Sequence, residues 1–438
     1  MRADARICKA PPVRRREILG WAMYDFAGQA YTLLIITVIF GDYYTRIVVG
    51  DAEEGFRTGN LLWSLALALG YLLAALAAPV LGAVMDAKAA RKTFLFAAFL
   101  LTVASTAALY FVGVGAVWLG FALIALSNAA YALGESVIAA FLPQLSGREQ
   151  MGRISGFGWA LGYFGGLVAT AFALLFLGEV SHENAERIRW VGPFAAAFFL
   201  LAAIPTFLFL RERGRPRRLP SGSWLRFGLR RSIATLTGLL RHGRWPALLA
   251  SVFFSMSGIA IVISFTFIYG AQVIGWSEEV RTAMFVIVQI SAALGALFFG
   301  WLQDRLGPWR IYAGTIALWI VSVLAVWATP ALASALSALS GRAIEAQHLF
   351  LAVGVLAGSC LGATQSAGRA LVGLLAPAHR AAELFGFWGL MVKLASIVGL
   401  LGIGTLQRVL GLADAILFCA VLFALALAAL RPALSRRS

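Results

Sequence analysis

Charge is scarce in this chain. Asp, Glu, Lys and Arg make up 13% of its 438 residues, about half the roughly 25% of an ordinary soluble domain, so a normally solvated surface is excluded. Cysteine is scarcer still. Cys8, Cys360 and Cys419 show no paired spacing, which rules out a disulfide framework and a cysteine-based metal site. The four histidines, His182, His242, His348 and His379, fall in or near polar loops without metal-like spacing. No Gly-x4-Gly-Lys-Ser/Thr phosphate loop occurs, so a nucleotide-driven pump is not expected. No serine or cysteine constellation of a hydrolase appears either, so the expectation is no enzyme, no metal and no cofactor.

What is present is apolar residue in long runs. Hydrophobic residues reach 61% and mean hydropathy is +0.85. Runs of twenty or more are long enough to cross a hydrocarbon core of roughly 30 Å. Twelve spans are expected at about 18–41, 60–85, 93–113, 115–143, 153–178, 190–210, 245–274, 282–303, 311–328, 346–375, 382–406 and 411–430. All must be helices, because an open strand leaves its backbone unsatisfied in lipid. The basic N-terminus leads into Trp21-Ala-Met-Tyr24-Asp25 and reads as the first span, not as a cleavable signal.

The net charge of +16 is not that of a nucleic-acid binder, because no soluble module interleaves the basic residues with aromatics. The basic residues sit in short loops. The N-terminus, the loops that follow even-numbered spans and the C-terminus hold 27 of the 36 Lys and Arg; the opposite loops hold seven. The positive-inside rule then puts both termini in the cytoplasm.

The longest charged loop, Arg211 to Arg244, divides the chain into a six-span half (1–211), a linker (212–244) and a second six-span half (245–438). Its first part is rich in Gly, Pro and Arg and reads as irregular. Its second part carries Leu225, Leu229, Ile233, Leu236 and Leu240 at helical spacing, with Arg226, Arg230 and Arg231 alongside. That pattern fits a basic amphipathic helix on an anionic leaflet, or a solvated linker helix.

Two pieces echo each other across this division. Gly82-Ala-Val-Met-Asp86 is followed by Arg91-Lys92, and Gly300-Trp-Leu-Gln-Asp304 by Arg305 and Arg310. Each lies on the turn between the second and third span of its half. A duplicated bundle of this kind is the architecture of secondary transporters.

Four charges fall inside spans: Asp25, Glu135, Arg369 and Lys393. A charge at mid-bilayer costs about 2.5–3.5 kcal/mol on insertion scales, so each needs a partner or a task. Glu135 and Arg369 each lie eight residues before a proline (Pro143, Pro377) that closes a span, about 12 Å inside at 1.5 Å per residue. Two readings follow: they pair across the central cavity when its cytoplasmic side closes, or each is tied within its own half. Lys393 lies near the midplane and suits a substrate carboxylate, or serves as counter-ion to Asp25 or Glu135. Asp25 and Glu135, the acids well inside spans, are the candidate proton carriers if transport is proton-coupled.

Among uncharged groups, Gln29 stands in the polar stretch after Asp25, and Gln365 lies one turn from Arg369 on the same face. Asn128, Gln289 and Ser366 are more in keeping with helix joining. Of Trp159, Tyr163, Phe385 and Trp388, at most two are expected at the cavity, Trp388 among them. Glycines crowd the fifth span (Gly156, Gly158, Gly162, Gly165, Gly166) and recur in the eleventh (Gly386, Gly389, Gly399), where small residues let helices approach and slide, or pack statically.

Twelve spans, a central loop and two Gly-x3-Asp turns resemble the major facilitator superfamily over nearly the whole chain. Trp21-Ala-Met-Tyr-Asp25-Phe-Ala, Phe141-Leu-Pro-Gln-Leu, Gly158-Trp-Ala-Leu-Gly-Tyr-Phe-Gly-Gly166, Gln365-Ser-Ala-Gly-Arg369 and Glu383-Leu-Phe-Gly-Phe-Trp-Gly resemble a narrower branch. That branch holds bacterial permeases and the fungal autophagy-related vacuolar amino-acid exporters. The chain departs from the pattern at Ala87, Ala89 and Ala90, where a basic residue, Gly and Arg are usual. It departs again at Gly28, where Asn is usual and the smaller residue leaves room for a larger pocket.

The resemblance implies an integral protein of a bacterial inner membrane that moves a small, amino-acid-like solute, with export as the fungal relatives' direction. Membrane lipids and a coupling ion such as the proton would be its other partners. It also implies that Gly82, Asp86, Arg91 and Lys92, with Gly300, Asp304, Arg305 and Arg310, form a cytoplasmic latch. There each aspartate accepts from a helix N-terminus and pairs with a nearby base, stabilising the outward-open state without touching substrate. A non-transporting sensor or assembly protein on the same fold is the alternative.

Overall fold

A computed structural model describes residues 13–51, 56–177, 180–214, 216, 223–241 and 243–435. Cys8, His242 and most of the irregular first part of the linker lie outside the described residues. Among the described residues, twelve helices are long and apolar enough to cross a membrane: Arg15–Val49, Arg57–Lys88, Arg91–Phe111, Val117–Leu145, Arg148–Phe172, Ala185–Phe209, Trp245–Ile274, Glu278–Leu306, Pro308–Ser340, Ala346–Leu375, Ala378–Leu410 and Leu412–Leu434. They are called the first to twelfth spans below. The end of the bundle that carries Arg91, Arg148, Arg244 and Arg310 is called the basic face.

The twelve expected spans are all present, and two run further than hydropathy indicated. The first continues past residue 41 to Val49 because its backbone changes pitch. It is α-helical over Arg15–Ala30, then π-helical over Tyr31–Val38 and again over Tyr44–Val49. π-Helical turns are rare and are found frequently at functional sites, and this eight-residue stretch starts two residues after Gln29. The ninth span runs past its expected end at residue 328 and takes up most of the expected connection to the tenth. It stays helical through Pro330 to Ser340, since Ala-Leu-Ala-Ser-Ala-Leu-Ser-Ala-Leu-Ser is strongly helix-forming.

Within the first six spans, the first packs on the fifth and sixth, and the fourth on the second and third. Within the last six, the tenth packs on the eighth and ninth, and the twelfth on the seventh and ninth. The two sets meet along two seams, second span on eleventh and fifth span on eighth and tenth. Glycine makes both seams close. A Cβ at Gly82 would sit 2.5 Å from the Ala382 carbonyl oxygen, and one at Gly300 2.6 Å from that of Gly152.

The linker helix, Trp224–Arg241, docks small and polar side first. Gly228, Ser232, Thr235 and Leu239 are buried, whereas Trp224, Leu225, Leu229, Ile233 and Leu240 are half or more exposed. A soluble helix would turn those residues inward. The outward apolar stripe is the orientation of a helix at a membrane surface.

Candidate functional site

Between the seams lies a central cavity in two connected parts. The upper part, about 260 Å³, reaches from Gln29 and Gln365 to Tyr269 and Phe350, at the ends of the seventh and tenth spans away from the basic face. Its walls are mostly apolar. The lower part, about 160 Å³, is charged: Asp25, Glu135, Arg369 and Lys393 all line it. Gln29, Glu135, Trp159 and Gln365 line both parts and so mark their junction.

All four intramembrane charges therefore converge, in two ion pairs that each join one half to the other. Arg369 donates from Nη1 to Asp25 at 2.7 Å, and Lys393 donates from Nζ to Glu135 at 3.1 Å. Neither expected reading of Glu135 and Arg369 holds, since they do not pair with each other and neither is tied within its own half, whereas Lys393 is the counter-ion to Glu135 that one reading of it expected. Equal depth did not decide the partners; the fifth span did. Ser155 of that span holds the Arg369 guanidinium through its hydroxyl at 3.2 Å and its carbonyl at 2.9 Å. Trp21 and Trp159 flank it at 4.6 and 5.2 Å. That position faces Asp25 on the first span.

The two pairs differ in character. Arg369 is 4% exposed at its side chain and Asp25 16%. Glu135 is 39% exposed and Lys393 17%, with Tyr71 also 4.7 Å from the ammonium. The first pair is braced by Ser155 and two tryptophans; the second is the more open to the cavity.

Gln365 accepts a 2.6 Å hydrogen bond from the Tyr163 hydroxyl, again across the halves. Three of the four aromatics line the cavity, Trp159, Tyr163 and Trp388, one more than expected, whereas Phe385 is fully buried. Gly28 does not enlarge the pocket. The space a Cβ would take is held by Tyr131, 3.2 Å away. Tyr131 accepts from Thr32 at 2.8 Å and its ring lies 4.7 Å from that of Tyr31. Asn128 joins helices, donating to the Leu67 carbonyl at 3.0 Å, but Gln289 lines the upper cavity.

Sequence reasoning missed Ser155, Tyr131 and the specific use of Gly158. A Cβ at Gly158 would lie 2.7 Å from Arg369 Nη2, Asp25 Oδ2 and the Trp21 ring. The glycine cluster in the fifth span was the available signal; it could not say which glycine faces charge.

Below this chamber, at the basic face, two aspartates each bond a turn of one half to a helix start of the other. Asp86 accepts from the backbone N–H of Ala382 at 3.2 Å and Glu383 at 2.9 Å, at the start of the eleventh span. Asp304 accepts from Gly152 at 2.8 Å and Arg153 at 3.0 Å, at the start of the fifth. A carboxylate at a helix N-terminus gains from the dipole and from charge-assisted hydrogen bonds. Of the expected basic partners only Arg91 reaches an aspartate, donating to Asp86 at 2.5 and 2.8 Å; it also donates to the carbonyls of Ala140 and Ala378.

The other three bases are a correction. Lys92 donates to the Leu210 carbonyl at 2.7 Å, tying the third span to the sixth. Arg305 stacks on Trp301 at 3.9 Å, and Arg310 lines a separate groove. Their helical turns carry them away from Asp86 and Asp304.

Two cross-half seams, paired Gly-x3-Asp turns and a central cavity lined from both halves define a transporter of the major facilitator superfamily. The chain belongs to the family described as "Vacuole effluxer Atg22 like", which matches residues 146–433. It is 26% identical over 415 residues to an uncharacterized MFS-type transporter, YxiO, of Bacillus subtilis (strain 168), covering 92% of this chain and 91% of that protein. Its fold is similar to that of the human organic anion transporter MFSD10 (TM-score 0.73, 14% identity, 96% of this chain and 100% of that one). It is also similar to the transporter FucP in its outward conformation (TM-score 0.70, 15% identity, 96% and 98%).

Proposed function

We propose that the protein exports a small zwitterionic, amino-acid-like solute by alternating access, with the basic face in the cytoplasm and the present structure closed on that side. The observation that carries this is the charged chamber. Two acids and two bases, two residues from each half, line a cavity whose larger part extends away from the basic face.

A zwitterion matches that balance. Its ammonium replaces Lys393 at Glu135 and its carboxylate replaces Glu135 at Lys393, so binding exchanges one ion pair for two without an uncompensated charge. The more exposed 3.1 Å pair is the one to open. The Asp25–Arg369 pair, braced by Ser155 and two tryptophans, holds the halves in register beneath. When it parts and the Asp86 and Asp304 contacts release, the site faces the cytoplasm. Protonation of Glu135 or Asp25 would release a base in the same way, so a proton is the coupling ion this chemistry supports. Export agrees with the family's description as effluxers.

The test is thermal shift of the purified protein against amino acids, small peptides and organic anions, beside Lys393→Ala and Glu135→Gln. A ligand that binds the folded state raises its apparent melting temperature. The reading predicts a zwitterionic hit lost in both variants. A hit confined to organic anions and kept in Glu135→Gln would overturn the zwitterion assignment.

A further inference from the structure

The linker helix touches both halves of the molecule and leaves a composite face uncovered. Its buried side rests on the second span, where a Cβ at Gly228 would sit 2.7 Å from the Val80 carbonyl oxygen, and Lys88 of that span lies over the Trp224 ring. The same helix donates from Arg231 and Thr235 to Glu383 of the eleventh span, at 3.1 and 2.5 Å. Glu383 in turn donates its backbone N–H to Asp86 of the second span. The helix therefore straddles the second-to-eleventh seam at the point where that seam is bonded.

At 3.6 residues per turn, residues 224–241 fall into adjoining sectors. Gly228, Ser232, Thr235 and Leu239, all buried, face the protein. Leu225, Leu229, Ile233 and Leu240, each more than half exposed, take the next sector, of about 80°. Arg226, Arg230 and Arg241, all exposed, take a sector of about 60° beyond it. No residue from 224 to 241 is acidic, and no carboxylate among the described residues pairs with these three arginines. Only residues 242–244 separate the helix from the start of the seventh span at Trp245, which keeps it at the level of the membrane surface. An apolar strip edged by a row of unpaired guanidiniums at that level fits hydrocarbon with one sector and anionic head groups with the other.

We propose that the linker helix reads the charge of the membrane surface and passes it to the seam. Binding to anionic head groups fixes the roll of the helix about its axis. That roll is the one that presents Gly228 to the second span and Thr235 to Glu383 of the eleventh. When the two spans part, the helix has to give up one of these attachments. An anionic surface therefore favours the bonded seam, because it orders the helix in advance for both. A neutral surface holds the apolar strip but not the arginine row, and leaves the roll less fixed.

The test is amide exchange of the full chain in nanodiscs of phosphatidylcholine alone and of phosphatidylcholine mixed with phosphatidylglycerol. It is read over residues 378–386, whose Ala382 and Glu383 amides are held by Asp86. In the wild type these amides should exchange roughly ten-fold more slowly with phosphatidylglycerol present. Arg226→Gln/Arg230→Gln should exchange at one rate in both lipids. Arg148→Gln/Arg310→Gln, which removes two exposed bases elsewhere on the basic face, should keep the wild-type difference. Exchange that is equal or faster with phosphatidylglycerol in the wild type would overturn the proposal. So would an equal loss of the difference in the two double variants, which would make the effect one of general surface charge. If Arg226→Gln/Arg230→Gln does not fold, the single Arg230→Gln takes its place, with a several-fold smaller lipid difference expected and an unchanged one contradicting the proposal.

Discussion

Gly158 illustrates how much a single residue decides here. Its missing side chain is the space in which Asp25 and Arg369 meet, with Trp21 against the same atom position. Gly158→Ala should force the pair apart and leave a buried guanidinium without its carboxylate. Overpacking of this kind costs about 1–3 kcal/mol. The expected result is a lower melting temperature and at least a ten-fold loss of transport. Gly238→Ala on the linker helix, where a Cβ meets nothing within 4 Å, should be neutral or slightly stabilising. The comparison of the two by thermal unfolding separates a packing demand from a general intolerance of alanine. Ala89 is the converse. It sits at φ 51°, in the left-handed region that costs an L-residue about 1–2 kcal/mol, and its counterpart in the second half is Gly307, at φ 97°. Ala89→Gly should raise the melting temperature modestly, and an unchanged or lower value would show that the turn carries no strain. The four intramembrane charges were legible in the sequence because hydropathy isolates them. Their partners were not, because depth along a helix says nothing about the rotation that brings Arg369 to Ser155 and Asp25 instead of Glu135.

At the scale of the element, the linker helix is tied directly to the second-to-eleventh seam. Glu383, fully buried, accepts from Thr235 at 2.5 Å, from Arg231 at 3.1 Å and from Arg380 at 3.3 Å, and its own N–H donates to Asp86. One carboxylate thus fastens the helix to the residue whose backbone closes the second-to-eleventh seam. Glu383→Gln should weaken these bonds by about 1.5–3 kcal/mol. Amide exchange over 224–241 should then quicken roughly ten-fold or more, since 1.4 kcal/mol is a factor of ten. Exchange unchanged from wild type would mean the membrane surface, not Glu383, holds the helix. The helix itself was legible from its apolar spacing. Its inward face was not, since Gly228, Ser232 and Thr235 carry no hydrophobic signal. The π-helical stretch of the first span was equally invisible, because a change of pitch leaves hydropathy untouched.

Across the whole molecule, two aspartates at equivalent turns bond the starts of the fifth and eleventh spans at the basic face, and the larger part of the cavity lies on the other side of the Asp25–Arg369 pair. Asp86→Asn and Asp304→Asn each remove a carboxylate from a helix N-terminus. Both should shift the population toward opening at the basic face, read as faster labelling of cysteines placed beside Ala382 or Gly152, with the double variant fastest. The two Gly-x3-Asp turns were readable from the sequence, and the family resemblance implied the bonds their aspartates make to helix starts and, for Asp86, to Arg91. What it could not give was the divergence of Lys92, Arg305 and Arg310, since identical spacing in two copies does not impose identical contacts.

The most direct test of the central claim is solute counterflow in proteoliposomes, with zwitterionic amino acids on both sides of the membrane and Glu135→Gln and Lys393→Gln beside wild type. The account predicts exchange of at least one such solute by the wild type and its loss in both variants, each folded as judged by thermal unfolding. Exchange at wild-type rates in either variant would contradict the role given to the Glu135–Lys393 pair, and folded wild type that exchanges no zwitterion would contradict the transport reading itself.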